Sequence, residues 1–278
     1  VGFNELRDFY PALLCDNLNA QNLGIAAFAL SLDAPPPAAG RGDITPLQLA
    51  DIFEAPEFRR QVMNALKKAA QDVDRAGFPA VLGLHKHTEV MADLERGLGK
   101  PVFEISALPP SVPGRRLYER LKDIFLKAGG RLLIGSKVLG GEIEAGRVTQ
   151  IRHETVTRPK TLRAEHYVLA TGGIYGGGLE ATSDGVIHEP IFNLPVAAPS
   201  DRAAWFGPEL LSPGGRAIHR VGIRVDERFN PLDANGAVIA KNLYVAGNML
   251  ADVNWIQGRT GDGVAITSAF KVVEEILE

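Results

Sequence analysis

Apolar residues recur along the chain with two different spacings, which indicates a protein built from both helices and strands. In residues 46–73 they lie three or four positions apart, as is typical of amphipathic helices. Thr45 and Pro46 stand at the start of this segment, and a threonine followed by proline commonly begins a helix. Short continuous apolar runs at 23–32 and 80–84 are typical of buried strands. The alternation of the two kinds of segment predicts an α/β fold.

The pattern changes after residue 107. The stretch "LPPSVPG" at 108–114 predicts an extended loop, because three prolines restrict the backbone. The helical spacing that follows stops at Gly129 and Gly130, and residues 131–173 then form four short strand patterns that indicate a β-meander. We therefore divide the chain into a first α/β unit, residues 1–107, and a second unit, residues 108–278.

Composition and charge exclude several classes of protein. Of the 278 residues, 45% are hydrophobic and 23% are charged, which is ordinary for a soluble globular protein. The formal net charge is −3 without blocks of like charge, so a nucleic-acid partner has no electrostatic support. Cys15 is the only cysteine of the chain, and we expect a reducing, cytoplasmic location. The apolar runs fall far short of the roughly 18 residues that span a bilayer, so we expect no direct membrane insertion.

A glycine-rich segment near the end of the sequence is the main candidate for a ligand site. "GRTGDGVAITSAF", residues 258–270, places three glycines and an arginine directly before a helical pattern, and a strand pattern at 242–246 delivers Gly247 and Asn248. The N-terminus of a helix offers N–H groups without intrahelical partners, and glycines let a ligand approach the backbone. The alternative is a tight turn capped by Thr260 or Asp262.

Four segments carry a resemblance to a known family: "LPPSVPGRRL", "ATGGIYGGGL", "IHEPIF" and "NLYVAGNML". They resemble the B-subunit family of anaerobic glycerol-3-phosphate dehydrogenases, which are flavoproteins of the glutathione-reductase and succinate-dehydrogenase type. The likeness is strong from about Leu108 onward and weaker before it. It implies that the second unit is the C-terminal part of a Rossmann-like FAD/NAD(P)-binding domain with a β-meander. The first unit would then be an α/β cap or inserted domain.

One element of the family's pattern is not found in this sequence. The family has an amino-terminal strand, a G-x-G-x-x-G turn and a helix that hold the cofactor pyrophosphate. The chain opens instead with Val1, Gly2 and Phe3, without methionine. We therefore expect a piece of a longer protein, and weak or no flavin binding by these 278 residues alone.

The resemblance also implies a flavin, FAD or FMN, and the residues around it. The start of the last helix would face the pyrimidine edge of the flavin ring, and Asn248 would contact the ribityl chain. The glycines after the strand at 167–171 are not expected to form a dinucleotide fingerprint, because no helical pattern follows them. The expected cofactor-binding residues are Val138, Thr171, Gly172, Gly247, Asn248, Gly258, Arg259, Thr260, Gly261, Asp262, Gly263 and Val264.

The activity implied by the resemblance is oxidation of sn-glycerol 3-phosphate to dihydroxyacetone phosphate, in the glycerol metabolism of anaerobic respiration. Electrons would pass to a quinone through other subunits, including a membrane-anchoring iron–sulfur subunit that would place this chain peripherally at the inner membrane. His188 is the candidate general base, although a structural histidine is the alternative. Arg115 and Arg116, with Arg259, are candidates for binding the substrate phosphate, although arginines at such positions often have no ligand.

Two other functions fit the same residues. The chain could be a flavin-carrying electron-transfer subunit without its own substrate site, or a module without cofactor that serves assembly. No metal site is predicted, because His85 and His87 would lie on opposed sides of a helix with no third ligand nearby.

Overall fold

A computed structural model describes residues 1–209 and 214–278, in which helices and strands are mixed as the sequence predicts. The helices are α1 (Pro11–Ala20), α2 (Pro46–Phe53), α3 (Pro56–Leu66), α4 (His87–Leu98), α5 (Val112–Lys127), α6 (Gly173–Gly176), α7 (Trp255–Gly258) and α8 (Gly261–Leu277). The strands are β1 (Gly2–Phe3), β2 (Ser31–Leu32), β3 (Ala76–Pro79), β4 (Val102–Ile105), β5 (Val138–Glu144), β6 (Arg147–His153), β7 (Lys160–Leu162), β8 (Tyr167–Leu169), β9 (Glu180–Ala181), β10 (Ile187–His188), β11 (Val196–Ala197), β12 (Gly222–Ile223) and β13 (Leu243–Val245). Short 3-10 helices cover Ala69–Asp72, Arg202–Ala204, Ala217–Arg220 and Gly247–Met249.

The chain divides into two compact units, unit 1 (Val1–Leu132) and unit 2 (Leu133–Glu278). This division lies later in the sequence than the predicted boundary between residues 107 and 108. Helix α5 belongs to unit 1 because Arg116 on its first turns donates to both carboxylate oxygens of Glu104, at 2.6 and 2.8 Å. Arg116 also donates to the carbonyl oxygen of Gly83 at 2.7 Å. A pattern of prolines marks a loop, but it does not show which unit the following helix packs against.

Unit 1 is built on the parallel strands β3 and β4, which helix α4 connects. Its core lies under α2, where the ring of Phe53 is fully buried. That ring packs edge-on against Phe3, Phe58 and Phe78, with centroids 5.0 to 6.4 Å apart. Such aromatic pairs contribute beyond their buried area, so Phe53 holds the two helices after residue 45 against β3.

The predicted start of α2 is confirmed. Thr45 precedes the helix, and its hydroxyl accepts a hydrogen bond from the backbone N–H of Gln48. The Gln48 side chain in turn accepts from the backbone N–H of Thr45 at 3.0 Å, which completes a capping box. Pro46 occupies the first helical turn, where its missing N–H costs nothing.

Two predicted strands differ from the structure. Of the run at 23–32, only Ser31 and Leu32 form a strand; Gly24 has φ +71°, and Phe28 is 74% exposed. The run at 80–84 is buried as predicted at Ala80–Leu82, but the strand ends just before it at Pro79. In both cases the apolar composition predicted a strand, whereas strand formation also requires a partner with free backbone groups.

Unit 2 contains the predicted meander as the antiparallel sheet of β5, β6 and β7. The fourth strand, β8, leaves this order and pairs in parallel with β13. The buried side chain of Asn242 links the two sheets, because it accepts from the N–H of Val148 at 2.8 Å and donates to the Val148 carbonyl at 3.0 Å. Among the described residues, no helix is long and apolar enough to cross a membrane.

Candidate functional site

The candidate site forms where β8 and β13 end. The two strands are parallel, with Tyr167 opposite Leu243 and Leu169 opposite Val245, so their carboxyl ends meet at the same edge. Beyond that edge the chain continues into two glycine-containing loops, and the backbone N–H of Ala246 still donates to the Leu169 carbonyl at 3.1 Å. Ligands of α/β folds commonly bind at this edge of parallel strands.

The two loops approach each other so closely that only glycine fits between them. A Cβ atom at Gly173 would lie 2.3 Å from the backbone carbonyl oxygen of Asn248. A Cβ atom at Gly178 would lie 2.5 Å from the Thr171 hydroxyl and 2.7 Å from the Met249 sulfur.

The first loop does continue into a helix, α6, but this is only four residues long and ends at a glycine in the left-handed region. It therefore differs from the long phosphate-binding helix of a dinucleotide fingerprint, as the sequence predicts.

Asn248 carries an unsatisfied polar atom at this junction. Its Oδ1 is buried and has no hydrogen-bond partner among the residues that the structure describes. The neighbouring Gly247, by contrast, has its N–H satisfied by the Ser268 hydroxyl of α8 at 2.8 Å. A buried acceptor without a donor costs free energy, about 1–3 kcal/mol, and its presence in a cleft indicates a ligand that supplies the donor.

The start of helix α8 lies next to a second part of the site. Thr260 occupies the N-cap position, and its side chain makes no capping bond within the described chain. A Cβ atom at Gly263 would have no described atom within 4 Å. Trp255, Arg259 and Gly263 are among the residues that line a cleft of about 400 Å³ here. First-turn N–H groups, open space and an exposed arginine therefore coincide.

The sequence did not identify His219 as a site residue, but in the structure it lines the same narrow cleft as Asn248. The ring of His219 lies 5.8 Å from that of Tyr175, which packs edge-on against Trp255 at 6.2 Å. These side chains and Asn248 line one narrow cleft. His219 belongs to the 3-10 helix Ala217–Arg220, which has no periodic pattern or motif, so only its position in the fold points to it.

The surroundings of His219 favour its neutral form. Burial lowers the pKa of His219 from its ordinary value of 6.5, and the nearby Arg216 guanidinium lowers it further. The imidazole is therefore mainly uncharged near pH 7, the state in which it accepts a proton.

The other predicted site residues are distributed between both units. Gly172 and Asn248 line the narrow cleft, whereas Arg259 and residues 261–263 line the cleft at the start of α8. Val138 begins β5 in the meander and is not among the residues lining these clefts. His188 lies on β10, with its Nε2 3.7 Å from a Glu180 carboxylate oxygen, and it does not line the described clefts either.

The two arginines predicted to bind phosphate lie in unit 1 and have protein partners. Arg116 makes the contacts with Glu104 and Gly83 described above, and its side chain is mostly buried. Arg115 forms an ion pair at 2.5 Å with Glu119 one helical turn later. Arg259 lies at the open cleft of unit 2. Of the three predicted phosphate ligands, Arg259 is the one that belongs to the same unit as the candidate site.

Comparison with known proteins gives consistent results. The sequence profile of the FAD binding domain family matches residues 1–264. The probable B subunit of an anaerobic glycerol-3-phosphate dehydrogenase of Halobacterium salinarum is 35% identical, over 88% of this chain and 54% of its own length. The anaerobic glycerol-3-phosphate dehydrogenase B subunits of Vibrio cholerae and Yersinia pestis are 33% and 31% identical, over 100% of this chain and 64% of their own length. The chain thus spans between about half and two thirds of the length of these curated relatives.

Proposed function

This chain belongs to the FAD binding domain family, and we propose that it forms part of a flavin-dependent dehydrogenase subunit that oxidises sn-glycerol 3-phosphate to dihydroxyacetone phosphate. The description of this family names FAD, and FAD is therefore the cofactor in this proposal. The names of the relatives, all B subunits of anaerobic glycerol-3-phosphate dehydrogenases, support the substrate. The structural observation that carries the proposal is the buried, unpartnered Oδ1 of Asn248 at the junction of the two loops.

The residues at this junction fit a flavin. The Asn248 Oδ1 is an acceptor, and the ribityl chain of FAD supplies hydroxyl donors. The first turn of α8 supplies N–H groups and the positive end of a helix dipole, which favours a ring that gains negative charge on reduction. The open space at Gly263 admits a flat ring against the backbone. Arg259 adds a positive charge at the same cleft.

The proposed oxidation removes a hydride and a proton from the secondary alcohol of the substrate. When bound, FAD supplies the acceptor for the hydride that leaves the carbinol carbon. The hydroxyl proton needs a base, and in this proposal the base is the imidazole of His219, which lines the same narrow cleft as Asn248 and whose pKa is lowered by partial burial. The alcohol thereby becomes the ketone of dihydroxyacetone phosphate. His188 is the second candidate for the base, since it was the one indicated by the sequence.

The electrons must leave the cofactor before the next turnover, which requires an electron acceptor. The relatives are named as subunits, and this supports a complex of several chains for them. We include in the proposal a membrane-anchoring iron–sulfur subunit that passes electrons to quinone and holds this chain at the membrane. Anaerobic mixing of the purified full-length subunit with sn-glycerol 3-phosphate tests the proposal, because its flavin absorbance must bleach.

A further inference from the structure

Trp255 lies between the two clefts of the candidate site. Its side chain lines the narrow cleft together with Asn248 and His219, and it also lines the cleft at the start of α8 together with Arg259. Among the described residues that line these two clefts, Trp255 is the one that both have in common. Its ring lies against the start of α8, because a Cβ atom at Gly261 would lie 3.2 Å from the Trp255 Cε3. Trp255 therefore forms the wall between the two spaces.

The narrow cleft is too small for an organic ligand while this wall is in place. Its volume is about 10 Å³, which is roughly the space that one water molecule needs. The unpartnered Oδ1 of Asn248 belongs to this small space. The cleft at the start of α8 is much larger, about 400 Å³. A ligand in the larger cleft is thus separated from Asn248 by the Trp255 ring.

The Trp255 ring has the contacts of a surface side chain. It is only partly buried, and it does not belong to the hydrophobic core cluster of unit 2 as far as the structure describes that unit. It packs edge-on against the ring of Tyr175, which is 56% exposed. Protein cores are close-packed, so a core side chain that moves leaves a void, whereas a ring at the surface is replaced by solvent. Movement of the Trp255 ring therefore leaves the core of unit 2 intact.

The backbone on either side of Trp255 has an uncommon conformation. Asp252 and Arg259 have φ +63° and +51°. Residues other than glycine rarely occupy this left-handed region, and those that do are concentrated in ligand clamps and switch segments. Between them lies the single turn Trp255–Gly258, and the Trp255 carbonyl accepts from the N–H of Thr260 at 3.1 Å. Both ends of the segment that carries the wall thus have the backbone geometry typical of a switch.

We propose that Trp255 is a gate of the flavin site. Displacement of its ring joins the two clefts into one space, which extends from Asn248 to the first turn of α8. This inference rests on the proposed function, because it takes FAD as the ligand that the joined space holds. A state with the ring displaced is a minor one in the free protein, and a minor binding-competent state slows association. Opening the gate also connects His219 with the larger cleft.

Chemical modification of His219 tests the gate without flavin. Diethyl pyrocarbonate reacts with neutral imidazole rings, and mass spectrometry of the FAD-free full-length subunit gives the rate at each histidine. In Trp255→Ala, His219 should react several-fold faster, because the narrow cleft is then open to the larger one. His188 is the internal control, since it lines neither cleft and its rate should stay the same. If Trp255→Ala fails to fold, Trp255→Leu gives the same comparison. An unchanged rate at His219 would overturn the proposal.

Stopped-flow binding of FAD to the FAD-free full-length subunit tests the same gate with its ligand. Trp255→Ala should associate with FAD about tenfold faster than the wild type, because no ring has to be displaced first. The control is Trp205→Phe, which changes the other tryptophan of this chain, a buried core residue of the same unit that lines none of the described clefts. It should leave the association rate unchanged.

The outcomes separate the gate from the proposed oxidation. Equal association rates for Trp255→Ala and the wild type would overturn the gate, even in a subunit that oxidises its substrate. A flavin that binds with the expected rates but stays oxidised in the presence of sn-glycerol 3-phosphate would support the gate and contradict the oxidation. A full-length subunit that binds no FAD would overturn both.

Discussion

Gly173 lies directly against the backbone carbonyl oxygen of Asn248, so closely that a Cβ atom at residue 173 would lie 2.3 Å from it. This contact joins the loop after β8 to the loop after β13. The Gly173 N–H also points to the Met249 sulfur, at 3.2 Å. The two loops therefore fix each other, and the position of Asn248 depends on the absence of a side chain 75 residues earlier in the chain.

The first prediction uses this contact. Gly173→Ala should lower the free energy of unfolding by about 1–3 kcal/mol in addition to the cost of backbone strain, because the loops must move apart. Gly177→Ala is a matched control, since Gly177 also has positive φ, +80° against +64°, but its Cβ would have no described atom within 4 Å. Gly177→Ala should lower the free energy of unfolding by only about 1 kcal/mol, which is the cost of backbone strain. Urea unfolding of both variants measures the difference, and equal losses would show that the loops do not touch.

The second prediction concerns the unpartnered oxygen of Asn248. Asn248→Ala should leave the free energy of unfolding of the flavin-free protein unchanged or higher, because it removes a buried acceptor that has no donor. The same change should weaken FAD binding about tenfold, since the ligand loses that acceptor.

Asn230→Ala is the control for the loss of a buried asparagine. The Asn230 side chain donates to the carbonyl of Leu243 at 2.8 Å, so its removal should cost about 1–3 kcal/mol. Chemical unfolding and flavin titration give both quantities. A destabilisation by Asn248→Ala as large as that by Asn230→Ala would mean that Asn248 serves the fold and not a ligand.

The third prediction concerns the beginning of α8. In the full-length subunit, Gly263→Val should lower flavin content while the fold persists, because the side chain enters open space at the cleft. Thr267→Val places the same side chain one turn later on the exposed surface of the helix, and it should leave flavin content unchanged. Absorbance at the flavin maximum and far-ultraviolet circular dichroism of both variants check this. Full flavin content in folded Gly263→Val would exclude this helix start from the site.

The fourth prediction concerns His219. Its pKa is lowered, so the folded protein binds this proton less readily than the unfolded chain does. The free energy of unfolding that this pKa difference contributes is fully present above pH 6.5, the ordinary pKa, and is lost as the pH falls through the pKa of the folded state. NMR titration of the imidazole, with His219→Gln to assign its signal, measures this pKa. A value at or above 6.5 would contradict a partly buried imidazole that is mainly neutral near pH 7.

The same residue should matter for catalysis. His219→Gln should slow reduction of the flavin by sn-glycerol 3-phosphate about 10²-fold or more, as expected for the loss of a general base. His188→Gln provides the direct comparison, because the sequence indicated His188 and the structure places His219 in the same narrow cleft as Asn248. If only His188→Gln slows reduction, the base is His188 and the narrow cleft has another role.

The parts of the site that local patterns predicted are those built by continuous segments. Asn248 and Gly263 could be proposed as site residues because a strand, a glycine loop and a helix follow one another within one stretch of sequence, and both residues line clefts in the structure. His219 was missed because it lies in a short 3-10 helix and reaches the site through packing with Tyr175. The placement of α5 in unit 1 depends likewise on the distant pair Arg116 and Glu104. Such long-range contacts leave no periodic signal in the sequence.

The central claim is that the full-length subunit to which this chain belongs carries FAD and uses it to oxidise sn-glycerol 3-phosphate. Anaerobic stopped-flow mixing of the flavin-loaded protein with this substrate, followed at the flavin maximum, tests it most directly. Glycerol, which lacks the phosphate, serves as the control, and dithionite gives the full bleaching amplitude. We predict that sn-glycerol 3-phosphate bleaches the flavin to the dithionite amplitude and that glycerol does not. A flavin that dithionite bleaches but sn-glycerol 3-phosphate leaves oxidised would contradict the account.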